Sequence, residues 1–361
     1  MQIGPSSLTF GNGTLSQVVN DGAAIRRQLD ALTRQAGDGL VADTYAGLGA
    51  AAATPLSLAS AVDEATTWQA NTQAAAGPMQ TAQSALAQIS DIASHFFAQT
   101  AALNGVNTTA IDATAASARD ALTQLSGLLN SKFGDTYVFA GTDSANPPIP
   151  GDILTSGMVT SIAATVANLG TSGAAATIAS TLATASSNAA GVSPFSASLS
   201  QPAATLQNAR PLVIAGPGAP VPTGLLASTN GDIASTGGST TGSYIRDIMR
   251  ALATIGGLSG NQASTTGLGA LVQDVHTSLG DAISALNSDA GVMGNRQASL
   301  QARQLSLDDT VTALQGQISS VRDVDMAATL SHLTATQTQL QASYQLLNTL
   351  RSLTLASVLG G

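Results

Sequence analysis

The chain contains no cysteine, few aromatic residues and few charges. The absence of cysteine excludes disulfide bonds, thiolate metal sites and cysteine nucleophiles. Only 3% of the 361 residues are aromatic and only 9% are charged, so packing must depend on small and aliphatic side chains. This composition disfavours the deep, aromatic-lined pockets in which enzymes bind small molecules.

Positive charge is scarcer still. The 12 basic residues, among which Lys132 is the only lysine, are outnumbered by 21 acidic residues, and the formal net charge is −9. Nucleic acids and anionic membrane surfaces bind basic patches, so we expect neither as a partner.

The sequence also lacks the patterns of targeting and membrane-spanning segments. Its first residues have no basic region followed by an apolar core, and we therefore expect no cleaved signal peptide. No uncharged apolar run reaches the roughly 20 residues that span a bilayer, and the tract Ala46–Ala53 is too short. We expect no membrane insertion.

Patterns typical of catalysis are missing as well. His95, His276 and His332 lie far apart, and none has the spacing of a metal ligand. There is no phosphate-binding loop, dinucleotide fingerprint or nucleophile elbow, and the adjacent Asp308 and Asp309 cannot face each other on a helix. The sequence predicts a protein that is not an enzyme, with no catalytic, cofactor-binding or metal site.

What the sequence does have is a long heptad repeat. Apolar residues at alternating three- and four-residue steps predict a coiled-coil rod of about 75 Å between Val272 and Val321. Gln297 and Gln304 fall on this seam, where they either set the register by hydrogen bonding or face water at its rim. The seam consists of Val272, Leu279, Ile283, Leu286, Ala290, Met293, Gln297, Leu300, Gln304, Leu307, Val311, Leu314, Ile318 and Val321.

The repeat breaks near Val324–Met326. Continued steps would bury Asp325 and His332 and expose Leu333, so the register must shift there. We predict a joint between the rod and a terminal helix at Arg322, Asp323 and Asp325. An ion pair at this point would fix the joint or a subunit contact.

The terminal helix after this joint is apolar on more than one face. Leu330, Leu333, Leu340, Tyr344 and Leu347 form one stripe, and further leucines extend it around the last turns. A single partner helix cannot cover such a surface. The pattern therefore predicts that neighbouring chains complete it by assembly.

The N-terminal half has helical stripes of its own. We expect Gly77-Pro78 to interrupt the second stripe, and Thr136–Phe139 to form a short strand followed by a turn at Gly141. The stripes are Leu15, Val18, Ile25, Leu29, Leu32 and Ala36; Leu58, Val62, Ala65, Met79, Leu86, Ala93 and Phe97; and Ile111, Ala115, Ala118, Leu122, Leu125 and Leu129.

Between Asp143 and Gly242 the composition changes to Gly, Ser, Thr and Pro with short apolar runs. Runs such as Val159–Ile162 and Leu212–Ile214 favour an inserted domain of short strands and loops, with a partly disordered linker as the alternative. The predicted fold is mainly α, a long antiparallel coiled-coil rod built from both chain ends with a β-rich or irregular middle domain. The predicted segments are an N-terminal assembly helix at 1–40, two rod halves at 41–142 and 243–324, the insert at 143–242 and a C-terminal assembly helix at 325–361.

Four stretches near the C-terminal end are similar to a known protein signature. They are Val321–Ala327 (VRDVDMA), Gln337, Gln339–Tyr344 (QLQASY) and Leu350–Leu353 (LRSL). Together they resemble the C-terminal signature of bacterial flagellin-like proteins. The resemblance implies an extracellular, non-enzymatic subunit of the flagellum that is exported unfolded with the help of an export chaperone.

A second stretch points to one branch of that family. Asp135–Thr142 (DTYVFAGT) is similar to the segment that leads into the variable domain of hook-filament junction proteins. The resemblance implies self-association in a ring or helical tube, with flagellin and a neighbouring hook-associated protein as partners. A filament flagellin is the alternative, and an exported coiled-coil adhesin whose middle domain binds a ligand is the second alternative.

The assembly interface follows from the stripes. We expect the C-terminal residues to make the axial contacts and the N-terminal residues to lie opposite them. The predicted interface consists of Ile25, Leu29, Leu32, Leu333, Leu340, Leu347, Leu350, Leu353 and Val358.

Overall fold

Long α-helices dominate the fold. The computed structural model of the chain describes the backbone of residues 11–103 and 108–359 and the side chains of residues 16–103 and 108–349. The described helices are α1 (Gly11–Asp38), α2 (Ala53–Ala102), α3 (Thr108–Leu129), α4 (Gly157–Ala167), α5 (Leu169–Ser172), α6 (Ala174–Ser186), α7 (Ala203–Leu206), α8 (Tyr244–Gly256), α9 (Leu268–Arg322) and α10 (Met326–Leu359). The predicted mainly α fold is confirmed.

Strands are few and short in the described residues. Antiparallel β1 (Lys132–Phe133) and β2 (Thr136–Tyr137) form one hairpin, and β3 (Leu212–Val213) pairs with β4 (Val221–Pro222) in a second. The predicted strand at Thr136 exists but ends early. Val138 and Phe139 leave it and turn into the core.

The segment 143–242 is less regular than the rest but is not β-rich. The run Val159–Ile162, for which we expected a strand, lies in α4. The side chain of Ser156 caps this helix by accepting a hydrogen bond from the backbone N–H of Val159, and the α4 face with Ile162 and Val166 is buried. Of the two predicted descriptions of the insert, the irregular one holds.

Contacts within the chain define two compact units. The terminal unit comprises the described residues up to Ala65 and those from Asp309 onward, and the central unit comprises Thr66–Asp308. Segment 143–242 belongs to the central unit, where its apolar residues share one core with α2, α3 and α9. The five-segment division made from composition stays a prediction.

The heptad seam was predicted correctly. Every seam residue from Val272 to Val321 is buried or half-buried on the continuous helix α9. Leu279, Leu286 and Met293 are among its most deeply buried members, and Gln297 and Gln304 are half-buried. Likewise, all six residues of the third N-terminal stripe are buried on α3.

The expected break at Gly77-Pro78 was wrong, because α2 continues through Pro78. Gly77 packs closely against Phe133, because a Cβ placed at this position would collide with the Phe133 ring unless that ring moved. Proline removes one intrahelical hydrogen bond, which a 50-residue helix packed along its length can tolerate.

Helix α8 is the most enclosed element of the central unit. All 13 of its residues are buried, and α3, α4 and α6 pack against it. Its charged residues have partners inside the core. The Arg250 guanidinium lies 3.1 Å from a carboxylate oxygen of Asp274, and Asp247 accepts a hydrogen bond from the backbone N–H of Thr241.

One helical stretch, Tyr45–Ala102, is long and apolar enough to cross a membrane by length and composition alone. The short tract Ala46–Ala53 becomes part of this stretch because a 3₁₀ helix (Tyr45–Ala52) runs directly into α2. From Met79 to Phe96 the same stretch packs into the central core. The absence of membrane insertion stays a prediction.

Candidate assembly interface

Helices α1 and α10 pack against each other in the terminal unit. Buried and half-buried residues of α10 recur at alternating steps of four and three, which is the spacing of a coiled-coil seam. Thr336, at 4% exposure, is the most buried of them. The α10 stripe consists of Thr329, Leu333, Thr336, Leu340, Ser343 and Leu347.

The structure places six of the predicted interface residues on these facing stripes. Ile25, Leu29 and Leu32 are half-buried on α1, and Leu333, Leu340 and Leu347 are half-buried on α10. Their role in contacts between chains stays a prediction. The side chains of Leu350, Leu353 and Val358, and that of Leu15, lie outside the described residues.

Other apolar side chains of α10 remain exposed on both sides of its stripe. Leu330 is 49% exposed and Leu346 is 60% exposed. At about 100° per residue, these two leucines fall on opposite flanks of the stripe that faces α1. We call them the two apolar flanks of α10.

A groove of about 430 Å³ runs between α1 and α10. Val19 and Ala23 line it from α1, and Leu340 and Leu347 line it from α10. A polar contact accompanies it: Nε of Arg26 donates a hydrogen bond to Oη of Tyr344 at 2.7 Å. The groove therefore exposes apolar side chains of both helices along this stretch.

The predicted joint coincides with a gap between two helices. Helix α9 ends at Arg322 and α10 begins at Met326. Asp325 caps the new helix, because its Oδ1 accepts hydrogen bonds from the backbone N–H groups of Ala327 at 2.9 Å and Ala328 at 3.1 Å.

Backbone hydrogen bonds tie this joint to the loop after α1. The N–H of Val41 donates to the carbonyl of Arg322 at 2.6 Å, and the N–H of Val324 donates to the carbonyl of Gly39 at 3.0 Å. The Arg322 guanidinium lies 5.7 Å from the ring centroid of Tyr45. The three ion pairs found among the described residues all lie in the central unit, so the joint is held without one.

Comparison with protein families finds a match at each end of the chain. Residues 12–144 match the bacterial flagellin N-terminal helical region, and residues 277–359 match the bacterial flagellin C-terminal helical region. Together the two matches span more than half of the chain. The chain belongs to the bacterial flagellin family.

Membership in the flagellin family identifies a structural, non-enzymatic subunit of the flagellum. Such a subunit is exported to the cell exterior and assembles with copies of itself into helical polymers. A search of curated proteins found no match to the chain. Most of the irregular segment 143–242 lies between the two family regions.

Two features of this flagellin-family interface were missed from the sequence. Among the described side chains of α10, Thr329 and Thr336 are the most buried, and both Leu330 and Tyr344 are exposed outside the stripe to which we assigned them. Counting heptad steps backward from Leu340 would have found both threonines. A search for apolar residues alone misses them, because threonine is not counted as a seam residue.

Proposed function

We propose that this flagellin-family protein joins the hook to the filament. The observation that carries the proposal is the segment Asp135–Thr142, which is similar to the corresponding segment of hook-filament junction proteins. In the structure this segment contains β2 and connects the helical N-terminal region to the irregular middle segment. Phe139 anchors it in the core, and its carbonyl accepts a hydrogen bond from the N–H of Ala227.

The assembly surface is α10 together with its partner α1. Because α1 covers only one stripe of α10, the flanks at Leu330 and Leu346 are available to two different neighbours. Contacts of unlike surfaces between copies generate rings or helical tubes. The predicted residues Ile25, Leu29, Leu32, Leu333, Leu340 and Leu347 contribute the exposed parts of their side chains to these contacts.

A subunit at the junction contacts a different kind of neighbour on each side. The surface above the subunit binds flagellin, and the surface below binds a hook-associated protein. Before assembly, the apolar flanks of α10 are covered by an export chaperone, because exposed leucines would otherwise promote premature association. The exported protein keeps its N-terminal residues, which mass spectrometry of secreted material would verify.

Electron microscopy of cells that lack this chain tests the junction role. We expect hooks without filaments, and restoration of filaments by the full-length chain. Normal flagella on the deletion cells would rule the junction role out.

A filament flagellin is the second candidate, because both family matches lie in regions that flagellins share. Polymerisation of the purified chain distinguishes the two. A junction protein forms at most a short collar on isolated hooks, whereas a flagellin extends from them into long filaments.

A further inference from the structure

A polar cleft lies in the central unit, outside the assembly surface. Its volume is about 380 Å³, and it is formed by the loops around 186–207 and 228–243 and by the first turn of α8. Amide and hydroxyl side chains dominate its lining, among them Asn188, Gln201, Gln207, Thr229 and Thr241. Side chains of this kind bind ligands that carry several hydroxyl groups.

Arg246 forms part of the cleft wall and is only 5% exposed. Its Nε donates to the carbonyl of Ser228 at 2.8 Å, and its Nη1 donates to the carbonyls of Ala185 at 2.9 Å and Ser187 at 3.2 Å. Nη2 donates to Oδ1 of Asn188 at 2.6 Å. An arginine has five N–H groups, so one N–H of Nη2 is left over.

All of these acceptors are neutral, as is the carbonyl of Gly256 to which Arg119 donates, whereas three other arginines of the unit have a carboxylate partner. Arg210, Arg250 and Arg296 each lie within 3.4 Å of a carboxylate oxygen. Burial lowers the pKa of Arg246 to about 10, and the charge of Asp247 offsets only part of this effect. A buried guanidinium without a paired anion is costly unless an anion joins it.

A second unsatisfied group lines the same cleft. Ser228 is 3% exposed, and its hydroxyl has no hydrogen-bond partner in the structure. The cleft also includes Ser243, which caps the N-terminal end of α8, where the helix dipole favours negative charge. The first turn of α8 already contains Asp247, so the spare N–H of Arg246 and the hydroxyl of Ser228 are the two groups that favour an anion in this cleft.

The charge of the anion is limited by Asp232, which lines the cleft. Asp232 pairs with Arg210 and Arg296, so its own charge is largely compensated, yet its carboxylate disfavours a dianion. One spare N–H and one spare hydroxyl match the two oxygens of a single carboxylate. The remaining volume is large enough for about one sugar ring with its hydroxyl groups.

We propose that this cleft binds one acidic sugar residue of the uronate class. Its carboxylate accepts hydrogen bonds from Arg246 and Ser228, and its ring hydroxyls contact the amides of Gln201 and Gln207. This binding is independent of the junction role, because the cleft and the apolar flanks belong to different units.

Ligand-observed NMR on the full-length chain at a dilution that keeps it monomeric tests the proposal, with glucuronate, glucose, acetate and inorganic phosphate as probes. We expect saturable binding of glucuronate, with at least about tenfold weaker binding of glucose, which lacks the charge-assisted hydrogen bonds. Acetate lacks the ring and binds more weakly than glucuronate. No saturable glucuronate binding, or phosphate binding of equal strength, would overturn the proposal.

Two variants test the position without removing Arg246, whose hydrogen bonds also hold the fold together. Ser228→Ala should weaken glucuronate binding by about fivefold. Gln207→Glu adds a negative charge at an exposed position on the cleft and should weaken glucuronate binding more than it weakens glucose binding. Gln273→Glu makes the same charge change on an exposed part of α9 that does not line the cleft. Equal losses in both glutamate variants would contradict a site in this cleft.

Discussion

The central and terminal units of this flagellin-family chain differ in how completely they bury their side chains. In the central unit α8 alone has 13 buried residues. Among the described side chains of the terminal unit, only Pro55, Ala65, Thr329 and Thr336 are buried. The central unit therefore contains its own core, whereas the described helices of the terminal unit leave apolar faces exposed.

Of the changes that test this comparison, removal of residues 325–361 should have the largest effect on assembly. The shortened chain loses α10 and both apolar flanks, and we expect it to be absent from assembled flagella while its central unit stays folded. Immunoelectron microscopy measures incorporation, and hydrogen exchange of α3 and α8 reports the central unit. Incorporation at the level of the full-length chain would mean that α10 is not the assembly surface.

Two leucine substitutions should separate folding from assembly. Leu286→Ala removes a side chain that is 1% exposed in the central core and should lower the free energy of unfolding by about 3 kcal/mol. Leu346→Ala, the matched control on an apolar flank, should change the stability of the monomer by less than about 0.5 kcal/mol.

The flank variant should instead weaken polymerisation, because a leucine that becomes buried between subunits contributes about 1.5–3 kcal/mol. Chemical denaturation and sedimentation of polymers measure the two effects. If Leu346→Ala destabilises the monomer as much as Leu286→Ala does, the distinction between the units fails.

A substitution at the joint should have a smaller effect on stability. Asp325→Ala removes the acceptor for two backbone N–H groups at the start of α10 and should destabilise that helix end by about 1 kcal/mol. Hydrogen exchange at Ala327 and Ala328 should increase, whereas exchange in α8 should not. Unchanged exchange at both alanines would mean that the cap is dispensable, and unchanged assembly would remove the joint from the interface.

The smallest effect concerns pH and the central unit. Burial raises the pKa of the Asp247 carboxyl, so the folded state holds its proton to a higher pH than the unfolded state does. This group therefore favours folding most below its unfolded pKa, and the contribution is lost as pH rises through the folded pKa.

Asp247→Asn removes the ionisation and should flatten the fall in stability over that pH range relative to the unmodified chain. Thermal unfolding followed by circular dichroism at a series of pH values gives the two curves. Parallel curves would show that Asp247 does not contribute to the pH dependence.

The sequence predicted best where periodicity alone determines the outcome. The seam from Val272 to Val321 and the break before Met326 follow from the repeat, because a long helix that packs along one face must keep its apolar residues in step. The pairing of α1 with α10 was expected on the same ground. These elements required no knowledge of the rest of the fold.

Tertiary contacts determined what the sequence did not reveal. Arg246 and Arg250 make α8 look like a surface helix, yet carbonyl and carboxylate partners from distant loops allow it to be buried. The β-branched residues of α4 favour a strand locally, but burial against α8 selects a helix. The polar cleft depends on loops that come together only in the folded chain.

The backbone hydrogen bonds from Gly39 and Val41 to residues 322 and 324 bring the loop after α1 next to the start of α10. Because α1 and α10 stand at opposite ends of the described chain, the seam between them closes only in a subunit that contains both helices. A fragment that ends before α10 leaves the α1 stripe uncovered, so the contacts that hold the two helices together also distinguish a whole subunit from a partial one.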